Sequence, residues 1–198
     1  MAEAGSTRDR IIAAATTQFA QHGIAGARVE QIAKAARTSK ERVYAHFRSK
    51  AELYRFVAAR ELTAMADAVP LDPADLPGYA ARVHDHVVQH PHRLRLMRWG
   101  QLELDAAGAT AEDPFQVVVA GKVEQIRQAQ ESGLLAAEWE PWDVLVFVSQ
   151  LATAWADQRD AVPEGRGRDA FLAARREAIA EAVQRLFPRA VTGVPHSS

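Results

Sequence analysis

The stretch Val29-Glu-Gln-Ile-Ala-Lys-Ala-Ala-Arg-Thr-Ser-Lys-Glu-Arg-Val-Tyr-Ala-His-Phe-Arg-Ser-Lys-Ala-Glu-Leu53 decides the fold. Ile32, Ala33 and Ala36 give a short first helix one apolar side. Val43 and Phe47, four residues apart, give a second short helix a side that faces the same core. Only a tight turn fits between them. Helices this short do not stand alone in water, so a third element is required. Ser6 to His22 supplies it, with Ile12, Ala15 and Phe19 on one stripe and Gly23 where a helix should stop. Helix, turn and helix on a supporting helix is the geometry that presents a recognition helix to DNA.

The helix starts carry their own chemistry. Ser6-x-x-Asp9, Thr38-x-x-Glu41 and Ser49-x-x-Glu52 have the capping-box form or a close relative of it. They are expected to open the first, third and fourth helices. Each such cap contributes on the order of 1 kcal/mol by satisfying otherwise orphaned amides.

If Val43 and Phe47 turn inward, then Lys40, Glu41, Arg42, Tyr44, Ala45 and His46 are left outside. Lys40 and Arg42 can donate to guanine edges, Glu41 can accept from a cytosine amino group, and Ala45 can sit against a thymine methyl. Tyr44, His46 and Lys50 are better placed to donate to phosphates, which holds register rather than reading sequence.

Ala20-x-x-Gly23, Ile32-Ala33 and Ser39-Lys40-x-x-Val43-Tyr44-x-His46-Phe47-x-Ser49-Lys50-x-x-Leu53 together resemble the TetR family of repressors. The resemblance covers about the first 55 residues. It implies an amino-terminal head that binds operator DNA and a larger helical body that dimerises and binds a small effector, whose arrival releases the DNA. It also implies base-facing places for Lys40, Glu41, Arg42 and Ala45, and backbone-facing ones for Arg28, Tyr44, His46 and Lys50.

Three positions depart from the commoner family pattern. Arg37 stands where glycine is usual and where the backbone often needs positive φ, at a cost of about 1 kcal/mol for a residue with a Cβ. Either the turn is altered there or the cation is useful near phosphate. Arg28 stands in place of a small polar cap, and Glu41 in place of a small residue.

Charge supports the head independently of any motif. Residues 1–60 hold 11 Lys and Arg against 5 Asp and Glu, a net of +6, whereas the remainder carries −7 and the whole chain −1. A basic end on an acidic body suits a polyanion at one face only. With 198 residues and 48% hydrophobic content the chain can bury a real core. It has no cysteine, which removes disulfides, thiol redox sensing and cysteine-based zinc sites. No run of about 18 apolar residues exists to span a membrane, and the first residues do not form a signal peptide. A cytoplasmic protein without a cofactor is expected.

Beyond Leu53 the helical period continues. A connector runs toward Pro70, and further helices are expected at about 78–90, 92–105, 113–131, 141–159 and 167–187, separated by Pro91, Gly108, Gly133 and the turn after Pro163. The expectation is all-α, about nine helices: a DNA-binding domain at 1–50, an effector-binding and dimerisation domain at 51–187, and a flexible tail at 188–198.

The last two helices are apolar over more than one face. Val144, Leu145, Phe147, Val148, Leu151, Ala152 and Trp155 crowd one of them. Ala170, Ala174, Ala178 and Ala182, with Phe171, Ile179, Val183 and Leu186, do so in the other. Such surplus reads as a homodimer contact through 141–159 and 167–187, with a purely internal core as the alternative. Dimerisation suits DNA geometry, since two recognition helices related by symmetry read a palindrome with half-sites about 34–36 Å apart or a multiple of it.

Trp99, Phe115, Trp155, Met97 and Phe147 are the candidates for an apolar or aromatic effector site, against the simpler reading of ordinary core. His86 and His90 have i, i+4 metal-ligand spacing, flanked by His84 and His92, but lack a third ligand of obvious type, so solvated or capping histidines are expected and no metal. A helical enzyme is the rival from another class. No phosphate loop, nucleophile elbow, His-Glu-x-x-His or paired carboxylate motif supports it. A constitutive DNA binder without an effector is the third reading.

Overall fold

The computed structural model describes residues 6–103, 114–156, 158 and 161–188. Among these residues the chain forms nine α-helices and no strand. They are α1 (Thr7–Gly26), α2 (Val29–Ala35), α3 (Lys40–His46), α4 (Lys50–Ala68), α5 (Leu76–Gln89), α6 (Pro91–Glu103), α7 (Pro114–Glu131), α8 (Pro141–Thr153) and α9 (Arg168–Leu186). All but the first residue of the expected tail at 188–198, the break at Gly108 and the helix ends at Asp105, Asp113 and Arg159 lie outside the described residues.

The helices pack as two compact units. Among the described residues, one takes those up to Met65 with His90–Gln116, and the other Ala66–Gln89 with those from Val117 on. In the first unit, the stripe Ile11, Ile12, Ala15 and Phe19 of α1 meets Ile32, Ala33, Val43, Phe47, Leu53 and Val57 in one buried core, as the apolar spacing requires. Helix α6 adds Leu96 to that core. Phe19 meets the Tyr54 ring edge-on at 5.3 Å, and the buried Tyr54 hydroxyl donates to the Leu96 carbonyl. Gly100, one turn later, lets the ring approach: a Cβ there would lie 3.3 Å from Tyr54 Cε1.

Gly23 interrupts α1 rather than ending it. It takes φ 70°, a left-handed conformation that glycine tolerates, and the chain turns helically again to Gly26. The reason lies on α6. A Cβ at Gly23 would meet the Trp99 ring, and the Glu103 carboxylate accepts the Ala25 N–H at 2.5 Å.

In the second unit, α5 packs against both α8 and α9. Val83 and Val87 of α5, Val144, Val148 and Ala152 of α8, and Ile179 and Val183 of α9 are buried. Arg176 of α9 pairs with Asp85 of α5 at 2.8 Å.

Several boundaries differ from the sequence reading. Helix α5 starts before Gly78, because Asp72 caps a short 3-10 turn over Pro73–Asp75 and the Asp75 carboxylate takes the Gly78 N–H at 3.0 Å. Helix α8 ends at Thr153, short of the expected 159. Its hydroxyl bonds back to the Ser149 carbonyl, and the chain continues through i→i+3 bonds from Ala154 to Leu151, Ala156 to Thr153 and Gln158 to Trp155. Nothing in the apolar pattern announces that tightening. His84 and His86 are 3% and 8% exposed, so of the two expected alternatives, solvated or capping, neither is solvated. Burial holds His84 below its ordinary pKa, opposed by Asp85. His90 and His92 are half-buried, their rings edge-on at 6.1 Å. No described group of three or more potential ligands could hold a metal ion, and no described helix is long and apolar enough to cross a membrane.

Candidate nucleic-acid interface

The interface is built on α3, a two-turn helix with Val43 and Phe47 buried beneath it. The turn leading into it is a Schellman closure. Thr38 N–H reaches the Ala33 carbonyl at 2.9 Å and Arg37 N–H reaches Lys34 at 3.1 Å, with Arg37 between them at φ 53°. It is the one positive-φ residue other than glycine among those described. The family-like turn is therefore kept and arginine bears its strain.

Capping follows. The Thr38 N–H is committed to closing the turn, so Ser39 rather than the expected Thr38 caps α3, and its hydroxyl accepts the Arg42 N–H at 3.2 Å. Ser6 and Asp9 form the complete reciprocal box on α1, which holds the Asp9 carboxyl below its ordinary range. Ser49 accepts the Glu52 N–H, and the Glu52 carboxylate reaches Arg48 N–H instead of the amide of Ser49. The carboxyl of Glu41 is held low by its own backbone amide and by the Ser39 hydroxyl, which keeps it charged at the first turn of α3.

With the core side fixed, Lys40, Glu41, Arg42, Tyr44, Ala45 and His46 are all exposed, and Arg28 is exposed at the N-cap of α2. The structure brings these seven to the surface of one compact head. Lys50 differs. It is half-buried and its ammonium donates to the carbonyls of Ala25 at 3.0 Å and Ala27 at 3.1 Å, so two of its three N–H groups serve the end of α1. Lys40 also has a partner, the Glu30 carboxylate of α2 at 2.5 Å, which raises the lysine pKa and lowers that of the acid. Sequence reading missed Glu30, because ten residues and a turn separate it from Lys40 and no local spacing signals the pair.

Five residues are expected to line an effector site: Trp99, Phe115, Trp155, Met97 and Phe147. Met97 is half-buried against the head core, and Trp99 lies beside Gly23. Trp155 meets Phe171 edge-on at 5.7 Å with the Arg175 guanidinium 4.8 Å above its ring. Phe147 is 40% exposed and edge-on to Trp139 at 5.5 Å. Phe115 is half-buried at the start of α7.

Two family models match the chain. Residues 11–57 match bacterial regulatory proteins of the tetR family, and residues 75–185 match the tetracyclin repressor-like C-terminal domain. The HTH-type transcriptional repressor SCO4008 of Streptomyces coelicolor is 35% identical over 187 residues, 93% of this chain and 96% of that protein. The HTH-type transcriptional repressor NicS of Pseudomonas putida is 31% identical over 102 residues, 48% of each chain. Among solved structures, a crystal structure assigned to a transcriptional regulator, SCO4942 from Streptomyces coelicolor, is 50% identical and superposes with a TM-score of 0.76 over 93% of this chain and 99% of that one.

Proposed function

Because the chain belongs to the TetR family of bacterial DNA-binding transcription regulators, we propose that it is a repressor that binds a palindromic operator as a homodimer and leaves it when a small apolar or aromatic molecule binds. It acts in the cytoplasm, where the operator lies. It is a regulator and not an enzyme.

The observation that carries the DNA half is the outward set on α3. Lys40, Glu41, Arg42 and Ala45 face the base edges, and Arg28, Tyr44, His46 and Lys50 hold the flanking phosphates. Lys50 does so with its one remaining N–H while bracing the end of α1. The dimer forms through α8, its continuation toward 159, and α9. Trp142 and Phe147 on α8, with Ala170, Ala174, Ala178 and Leu186 on α9, are exposed apolar side chains that a second copy buries. The effector site uses the body of the chain, with Trp155, Phe147, Phe115, Trp99 and Met97 as the apolar side chains offered.

Selection of bound sequences from a random duplex pool, with affinity then measured against salt, tests the reading. A palindrome with half-sites one helical turn or a multiple apart is the expected result. Enrichment of no sequence overturns it.

A further inference from the structure

Helix α3 has seven residues, too few for its own hydrogen bonds to hold its direction. The turn that leads into it and its C-cap are held instead from a single turn of α1. At the entry, Arg10 Nε donates to the Ala36 carbonyl at 3.1 Å, one residue before the strained Arg37. At the exit, the guanidinium of Arg8 lies 4.4 Å from the Phe56 ring centroid and 5.5 Å from that of Phe47, the C-cap of α3, while the two rings themselves meet at 5.5 Å. Residues two apart on a helix point to opposite sides, which is how Arg8 and Arg10 reach the C-cap of α3 and its entry turn. The turn that carries them is itself fixed. Ser6 and Asp9 close a complete capping box, and Arg10 also donates to Thr7 Oγ1 at 3.2 Å.

We infer that Arg8 and Arg10 are positioning residues for operator recognition: they set the direction of α3 from its entry turn and its C-cap and do so without contacting DNA. Basic side chains at the edge of a DNA-binding head invite the simpler reading of phosphate contacts. Their geometry favours the positioning role, because the Arg8 guanidinium lies over the rings of Phe47 and Phe56 and Arg10 Nε donates to the C-cap carbonyl of α2. A misdirected recognition helix loses base contacts and keeps the general attraction of the basic head for the polyanion.

The test uses the full-length protein with Arg8→Met, Arg10→Gln and the conservative Arg8→Lys and Arg10→Lys. The probes are the palindromic duplex recovered by selection with the unaltered chain and a non-palindromic duplex of equal length. Met and Gln variants should bind the palindrome about tenfold more weakly and the other duplex within about twofold of the unaltered protein. The slope of log affinity against log salt should not change, amide exchange over residues 40–46 should speed up while α5, α8 and α9 stay as they were, and the lysine variants should recover most of the palindrome affinity. Equal losses on both duplexes, or a slope that falls by about 0.9 per arginine, overturn the inference in favour of a folding defect or a phosphate contact respectively. The inference rests on the head reading a specific sequence. If selection with the unaltered chain enriches nothing, that reading fails first, and exchange over 40–46 alone then decides whether the brace exists.

Discussion

Lys40 on the recognition helix donates to Glu30 on α2 at 2.5 Å, an exposed ion pair that bridges the helix-turn-helix on the side where its outward residues gather. The pair holds the acid charged and the lysine protonated, so in free protein one of the candidate guanine donors is occupied. DNA must compete with the carboxylate for it.

Glu30→Gln should therefore tighten binding to any duplex and make the salt dependence steeper, by up to about one counterion. Affinity titrations at several salt concentrations read this directly. A slope identical to that of the unaltered chain would mean that Lys40 remains on its partner, or on bases alone, in the complex.

Arg37 sits at φ 53° in the turn before α3, a region where a Cβ costs about 1–2 kcal/mol. Glycine relieves that strain but enlarges the entropy of the unfolded chain by about 0.4–1 kcal/mol. Arg37→Gly is expected to stabilise the protein by roughly 0.5–1 kcal/mol, seen as a higher midpoint in denaturant. A loss of stability would show that the exposed guanidinium does more for the turn than its backbone costs.

Tyr54 ties α4 to α6 through its hydroxyl, and burial pushes its ionisation up to about 12 from the ordinary 10.0 of a phenol. The folded state thus holds the phenol proton more tightly than the unfolded chain does. Stability from this group is complete below pH 10 and is lost as pH rises toward 12. Tyr54→Phe removes the phenol's bond to the buried Leu96 carbonyl, which keeps its own helix bond, and should cost about 1 kcal/mol at neutral pH. Denaturation at pH 7, 10 and 11 should show the gap between variant and parent narrowing as the parent phenol ionises.

His84 on α5 titrates the other way. His84 is buried among α5, α8 and α9, with Asp85, Arg176 and the Ala152 backbone about it, and burial lowers its pKa from 6.5. The unfolded chain takes up the proton first, so stability present above pH 6.5 is lost as pH falls below it. His84→Leu should flatten the dependence of stability on pH between 7 and 5. Midpoints that fall in parallel for variant and parent would place the acid sensitivity elsewhere, with His92, also held low by burial, the next group to replace.

Much of the head was legible because its signals are local. Apolar spacing places Val43 and Phe47 inward, and Ser6 and Asp9 meet across one turn. What escaped depends on partners distant in the chain. Glu103 on Ala25 spans 78 residues, and no spacing rule relates an acid on α6 to an amide at the end of α1. Thr38 and Ser39 could both cap α3, and the choice fell to the Schellman bond that engages the Thr38 amide. In the body, Met97 and Trp99 were noticed as large apolar side chains, which marks burial but not whether a ligand or another helix supplies it. The structure gives Met97 the head core and Trp99 the Gly23 kink.

Arg42 is expected at base edges and Lys50 at phosphates, and the structure sets them apart in a second way, by what each does within the head. Arg42 is exposed on α3, its backbone amide fixed by Ser39, so its side chain is directed by a capped turn. Lys50 spends two donors on the carbonyls that end α1, beside the Ala25 amide that Glu103 holds. Arg42→Ala should cost about 1–3 kcal/mol against the selected palindrome and relax preference at particular bases, with stability nearly unchanged. Lys50→Ala should weaken binding to all sequences and lower the salt slope by about one, and it should also lower the unfolding midpoint, because the two carbonyls lose a charged donor. Selection repeated with each variant, alongside melting curves, separates the two roles. A lower midpoint with an unchanged salt slope for Lys50→Ala would leave the lysine as a structural clamp on α1 and remove it from the phosphate contacts.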